Sequence, residues 1–135
     1  MKHVHTQLSV QTTQEITDVT EQLQELLSAQ HVSSGSVTVR ALHTTAAVIV
    51  QERESGLVTD IQELLARLVP TDAEYHHNQA YDDNAHAHLK TLLLPQSCTL
   101  TIRNGALVLG TWERVLLADF DTPKKRFIDV SILTE

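Results

Sequence analysis

The chain is poor in several residue types, and each shortage removes a class of protein. It has one cysteine, Cys98, which has no partner for an internal disulfide. Its apolar runs are far too short to span a bilayer. The segment Met1-Lys2-His3-Val4-His5 lacks the apolar stretch of a signal peptide. A cytoplasmic location without membrane contact is therefore expected. Aromatic residues make up only 4% of the chain, too few for a platform that stacks the bases of a single strand. The formal net charge is −7, and the only basic cluster is Lys124-Lys125-Arg126, which argues against nucleic acid as a partner. No stretch rich in Pro, Gly or Ser divides the chain, so residues 1–135 are expected to form a single domain. There is no Walker P-loop, dinucleotide fingerprint, CxxC pair, HExxH or GxSxG.

Histidine is plentiful, with eight in 135 residues. It is the commonest metal ligand and titrates near neutral pH, so its positions matter. Residues 3–12 alternate, with Val4, Thr6, Leu8 and Val10 on one face of a strand. Ile16, Val19, Leu23, Leu26 and Leu27 mark an amphipathic helix over 14–30. After a turn at Ser33-Ser34-Gly35, Val37, Val39, Ala41 and His43 share a strand face. The apolar run from Ala46 to Val50 follows, and Glu52 stands just beyond it. Leu57, Ile61, Leu64, Leu65 and Leu68 predict a helix over 55–68, capped by Ser55 and stopped by Pro70. A polar loop over 71–83 leads to a short helix over 84–94, capped by Asn84 or Asp83. Asn104-Gly105 is a strong hairpin signal inside a strand-rich C-terminal block. Strands and helices segregate in this way in an α+β fold with a largely antiparallel sheet, here a sandwich carrying helices.

The densest polar cluster runs from His76 to His88, with four histidines and two acids. Such ligand types suit a transition metal such as zinc. On a regular helix His86 and His88 lie about 200° apart, so they cannot share an ion. Leu89, Leu92 and Leu93 mark the expected buried stripe, which makes His88 the inward residue and places His86 in solvent. His43, at a strand end, and Glu52, ahead of a helix, are further candidates; a carboxylate there can act as ligand or general base. Taken singly, each has a plainer structural explanation. Cys98 reads as core filler, and His76 and Asp82 as surface residues. His3 and His5 share a strand face, where exposed alternation outweighs a weak surface metal site.

Several segments together resemble the YjbQ family, also called UPF0047. They are His43-Thr44-Thr45-Ala46-Ala47-Val48-Ile49-Val50-Gln51-Glu52, then His77 with Asp83-Asn84-Ala85-His86-Ala87-His88-Leu89-Lys90, then Gly110-Thr111-Trp112-Glu113, and Pro123 to Arg126. Asp60 falls where the family carries an acid, and Glu113 departs from the family's Gln. The resemblance implies a YjbQ-like α+β fold assembled as a homotrimer. It implies a site in which His43, His77 and His88 hold a divalent metal, zinc or magnesium. Glu52, Asp60 and Asp83 would be the catalytic acids, and Thr44, Asn84, Trp112 and Arg126 would bind a phosphorylated small molecule. The implied activity is that of a secondary thiamine-phosphate synthase, a transferase joining a pyrimidine diphosphate to a thiazole phosphate with release of pyrophosphate. The alternatives are a metal-dependent phosphate-ester hydrolase and a non-catalytic trimer that binds a small molecule.

Overall fold

The computed structural model describes residues 1–79 and 83–135. Among the described residues, two antiparallel sheets and three helices make up the fold. The first sheet has the order β1-β8-β3-β5-β6, from β1 (Lys2–Thr12), β3 (Gly35–Ala41), β5 (Ser97–Arg103), β6 (Ala106–Leu107) and β8 (Lys124–Thr134). The second has the order β2-β7-β4, from β2 (Ile16–Asp18), β4 (Ala46–Gln51) and β7 (Arg114–Asp119). Helices α1 (Thr20–Ala29), α2 (Ser55–Leu68) and α3 (Ala85–Thr91) complete it, with a short 3₁₀ turn at His76–Gln79. The expected α+β class and antiparallel pairing are what the structure shows.

Side-chain alternation builds the layers. Val37 and Val39 of β3 and Val130 and Ile132 of β8 face Val48 of β4 and Val115 and Leu117 of β7, with Leu23 and Leu27 of α1 filling the same core. The intervening residues of the second sheet, Ala47, Ile49, Leu116 and Ala118, turn to the opposite face and pack on Leu65 of α2 and Ala87 of α3. β4 and β7 are thus covered on both sides, which is why they read as unbroken apolar runs. Cys98 lies half-buried on the inner face, where burial pushes its thiol up to about 11. That suits core filler rather than a nucleophile. Asn104 and Gly105, at φ 52° and 76°, form the expected hairpin turn between β5 and β6.

Three local expectations need correction. The helix expected from residue 14 starts only at Thr20, because Ile16–Asp18 pairs with β7 as a strand and buries Ile16 under the helices. The β-branched Ile16 and Thr17 suit that strand, and Asp18 Oδ1 accepts the Thr20 N–H to start the helix. α2 has the expected bounds, but its cap is Glu54, whose carboxylate accepts from the Gly56 and Leu57 N–H groups. In α3 the buried face is Ala85, Ala87, Lys90 and Thr91. The expected stripe of Leu89, Leu92 and Leu93 faces outward instead, with Leu92 78% exposed.

One end of the sandwich is closed by a buried ion pair. Arg126 of β8 donates from Nε and Nη2 to the two carboxylate oxygens of Asp119 on β7, both at 3.0 Å. Thr12, the last residue of β1, donates to Asp119 Oδ2 at 2.6 Å, and Thr45 accepts from Arg126 Nη2 at 2.8 Å. Burial alone would raise the Asp119 pKa. The hydrogen bonds from Arg126, Thr12 and the Asp121 N–H outweigh it and hold the carboxyl below its ordinary value. Removing one partner strands the other charge away from water. Asp119→Asn is therefore expected to cost about 3–5 kcal/mol in urea unfolding at neutral pH. A depressed carboxyl stabilises the fold fully above the unfolded value of about 4 and loses that contribution as pH falls through its folded value. The gap between wild type and Asp119→Asn should then narrow steadily below about pH 4.

Candidate functional site

The loop His43-Thr44-Thr45, between β3 and β4, lies against the same closed end. Its geometry sets the state of His43. Nε2 accepts the Phe127 backbone N–H at 3.0 Å, and Nδ1 lies 3.4 Å from Nη1 of Arg126. A neutral imidazole has one acceptor nitrogen, and the Phe127 contact assigns it to Nε2. Nδ1 then carries the proton and stands beside another donor. Burial and the Arg126 charge both disfavour a second proton, against a weaker pull from Asp119, so the His43 pKa is lowered. The ring stacks on Phe127 with centroids 6.4 Å apart, and Lys125 Nζ lies 5.6 Å from the Phe127 centroid.

Next to this corner is a histidine-lined pocket. His77, on the 3₁₀ turn, and His88, on α3, meet edge to face with centroids 4.8 Å apart. They line a cavity of about 350 Å³ with Tyr75, His76, Ala85 and Leu89. Asn84 Oδ1 is 2.9 Å from His77 Nε2, and its Nδ2 donates to Asp121 Oδ2 at 3.3 Å. Asn84 occupies the N-cap position without capping. The Ala85 N–H is taken by Asn78 Oδ1 at 3.0 Å instead. The backbone of Asp121 in turn touches both members of the ion pair: its N–H donates to Asp119 and its carbonyl lies 3.4 Å from Arg126 Nη2. A polar chain therefore runs from His77 through Asn84 and Asp121 to Arg126 and His43.

The residues named from sequence separate into groups. His77, His88 and Asn84 come together at the pocket, with the exposed Asp83 adjoining Asn84 in the chain. Arg126, His43 and the exposed Thr44 form the neighbouring corner, though most of the Arg126 guanidinium is spent on Asp119 and Thr45. Glu52 and Trp112 are elsewhere. In the β4–β7 ladder Ala46 pairs with Asp119 and Gln51 with Arg114, so Thr45 and Glu52 stand at opposite ends, about 20 Å apart for an extended strand. Trp112, 71% exposed, precedes Arg114 at the Glu52 end. Asp60 is exposed on α2. Glu113 is exposed and folds back to accept the Gly110 N–H at 2.7 Å, a role internal to its turn. Asp82 lies outside the described residues.

The three-histidine metal set is not assembled within one chain. Among the described residues no three His, Cys, Asp or Glu side chains are grouped to hold an ion. The physical reason lies in His43, whose acceptor nitrogen is taken by the Phe127 N–H and whose other nitrogen faces a guanidinium. His3 and His5 are likewise engaged, with Ser131 and Asp129 on the open face of the first sheet. His86 is not the solvent residue expected: its Nδ1 is buried without a hydrogen-bond partner among the described residues. The sequence reading also missed Asp119, Asp121, Thr12 and Phe127. Asp119 had a signal, as a lone acid in the apolar run Val115 to Phe120.

Two stacked antiparallel sheets, α2 and α3 on one outer face, and a histidine pocket beside a buried Arg–Asp pair define a small α+β protein. Residues 5–135 match the model described as UPF0047 protein YjbQ-like, and the chain belongs to this family. It is 40% identical to a UPF0047 protein of Archaeoglobus fulgidus over 119 residues, covering 88% of this chain and 91% of that one. It is 39% identical to a UPF0047 protein of Methanothermobacter thermautotrophicus over 118 residues, covering 87% and 82%. The crystal structure of a YbjQ-like protein of unknown function from Sulfolobus solfataricus superimposes with a TM-score of 0.91 at 32% identity, covering 99% of each chain. No helix among the described residues is long and apolar enough to cross a membrane.

The state of His43 can be checked directly. In a ¹H–¹⁵N NMR titration His43 should show a protonated Nδ1 and a midpoint below the ordinary histidine value of about 6.5. Its contribution to stability should be complete above that value and be lost as pH falls through the lower folded one. A His43 midpoint above about 6.5 would contradict the assignment.

Proposed function

We propose that the chain binds and converts a phosphorylated small molecule at the corner where Arg126 meets His43. One observation carries this reading. Nη1 of Arg126 and the Nδ1–H of His43 are two donors 3.4 Å apart, with no acceptor between them among the described residues, while the other guanidinium nitrogens are engaged. Converging, pre-oriented donors on a fixed cation suit a phosphate oxygen. Lys125, over the neighbouring Phe127, adds a second positive charge at the rim. The adjoining cavity of His77, His88 and Tyr75 has the size and lining for an organic ring.

In its finer form the reading is a thiamine-phosphate synthase-like transfer in the cytoplasm. The reaction joins a pyrimidine diphosphate to a thiazole phosphate and releases pyrophosphate. Charge builds on the leaving pyrophosphate, where Arg126, His43 and Lys125 would stabilise it. The thiazole nitrogen bonds to the pyrimidine methylene as the bond from that methylene to the pyrophosphate oxygen breaks. No proton leaves the thiazole, so the His77–His88 pair would hold the ring and donate to the leaving oxygen. With purified protein, thiamine phosphate should form, and His88→Ala and His43→Ala should each lower kcat about 100-fold. No product from wild type, or turnover untouched in both variants, would remove the synthase. Phosphate-ester hydrolysis lost in the same variants would point to the hydrolase.

The homotrimer belongs to the same proposal. Its support is the apolar surface left open on one chain: Leu68 on α2, Leu92 and Leu93 after α3, and Trp112. Only another copy could bring a Glu52 and Trp112 end to the histidine pocket, because β4 holds the two ends of one chain apart. Sedimentation velocity at micromolar concentration should give a trimer that Leu92→Glu dissociates. A wild-type monomer is the contrary result.

A further inference from the structure

The hydrogen bonds around the histidine pocket fix the position of one proton. Asn84 stands between His77 and Asp121, and its amide has two unlike ends. A carboxylate offers only acceptor oxygens, and Asp121 Oδ2 takes the Asn84 Nδ2–H at 3.3 Å. Turned over, the amide would set its own oxygen against that carboxylate oxygen. The orientation is therefore settled from the Asp121 side, and Asn84 Oδ1 is the end that lies 2.9 Å from His77 Nε2. Oδ1 has no proton to give, so the proton of this contact sits on His77 Nε2.

A neutral imidazole carries one proton and one lone pair on its two nitrogens. With the proton on Nε2, the lone pair of His77 is on Nδ1. Since Nε2 is turned to Asn84, any hydrogen bond His77 makes to a molecule in the cavity runs through Nδ1 and requires a donor on that molecule. The other walls do not supply this acceptor. Ala85 and Leu89 are apolar, and the Tyr75 hydroxyl is held by the Pro70 carbonyl at 2.6 Å. His88 meets His77 through ring edges and makes no side-chain hydrogen bond among the described residues, so neither of its nitrogens is assigned in this way.

We infer that Asn84 is a positioning residue: held by Asp121, it fixes the His77 proton on Nε2 and presents Nδ1 as an acceptor, so that the cavity selects rings carrying a hydrogen-bond donor. The inference rests on the reading that this cavity holds the ring of the ligand. It divides the work of the histidine pair. His77 accepts from the ring, and His88 gives the N–H to the leaving oxygen.

Two-bond ¹H–¹⁵N NMR of the full chain at about pH 8.5, where ordinary histidines are neutral, reads the tautomer of each ring. His77 should be wholly the Nε2–H form. Asn84 makes no capping hydrogen bond, so Asn84→Leu removes the amide without uncapping α3, and His77 should then become a mixture of both tautomers. A mixture or an Nδ1–H form in wild type overturns the inference, as does a His77 that Asn84→Leu leaves unchanged. The same spectra read ligand preference with pyrazole, which has a ring N–H, and 1-methylpyrazole, which lacks it. Pyrazole should bind roughly tenfold more tightly, the margin of one hydrogen bond, and the margin should shrink in Asn84→Leu. Equal binding of the two probes, or no shift of His77 by either, also overturns it. The wild-type spectra decide the matter even where Asn84→Leu folds poorly. They are independent of turnover: a wild type that makes no thiamine phosphate removes the synthase and leaves the tautomer as the spectra find it.

Discussion

The ion pair between Arg126 and Asp119 ties the two sheets together at one end. Its partners come from four strands or their flanks: Arg126 from β8, Asp119 from β7, Thr12 from β1, and Thr45 just ahead of β4. Two charges held out of water cost several kcal/mol each unless their hydrogen bonds are nearly complete. Here Asp119 accepts from Arg126, Thr12 and Asp121, and Arg126 is satisfied at every nitrogen except Nη1. The need to complete the pair therefore fixes where the loop 43–45 and the turn at Asp121 must lie. The one nitrogen left over is delivered to His43. Stability and the candidate site draw on the same atoms, so a variant of either charge would confuse the two, whereas His43 and His88 can be altered with the pair intact.

A second constraint comes from residue size. The second sheet is covered by α2 and α3, and α3 approaches it with alanines, Ala85 and Ala87. Small side chains let the helix sit close to Ala47 and Ala118 of the sheet. The larger leucines on the same short element then have nowhere inside to go and are left on the outside. The same approach turns His88 to one pocket, and His86 and Lys90 to a separate surface crevice on the other flank. The directions of all three side chains are thus consequences of how one seven-residue helix is seated.

This also explains what could be read from residues in order. Element types are legible wherever local pattern and burial agree. The helix Ser55–Leu68, the hairpin at Asn104-Gly105 and the alternating β1 emerge where the pattern places them. The pattern misleads where a tertiary partner intervenes. Ile16 and Val19 fit a helical stripe, yet β7 takes Ile16–Asp18 as a strand. Leucine outranks alanine on any hydrophobicity argument, yet close packing on the sheet favours alanine in α3. For the site, His77 and His88 are near enough in sequence to be grouped by eye. Asp119 meets Arg126 and Thr12 only through sheet pairing, which no local window reports. Its presence as a charge inside an apolar run was visible, but its partners were not.

The candidate site residues fall into two separate groups. They occupy both ends of β4, and a strand cannot bend its own ends together. Thr45 and His43 belong to the Asp119 end, whereas Glu52 and Trp112 belong to the Arg114 end. A site drawing on one end alone is complete in a single chain, and Glu52 then has only a local role. A site drawing on both ends requires at least two chains arranged head to tail, since the two surfaces differ. Head-to-tail contacts that close generate rings, and the outward leucines and Trp112 supply apolar surface for such contacts. The number of chains in solution and the composition of the site are therefore one question, decided by whether the acids at the far end of β4 matter to whatever His88 binds.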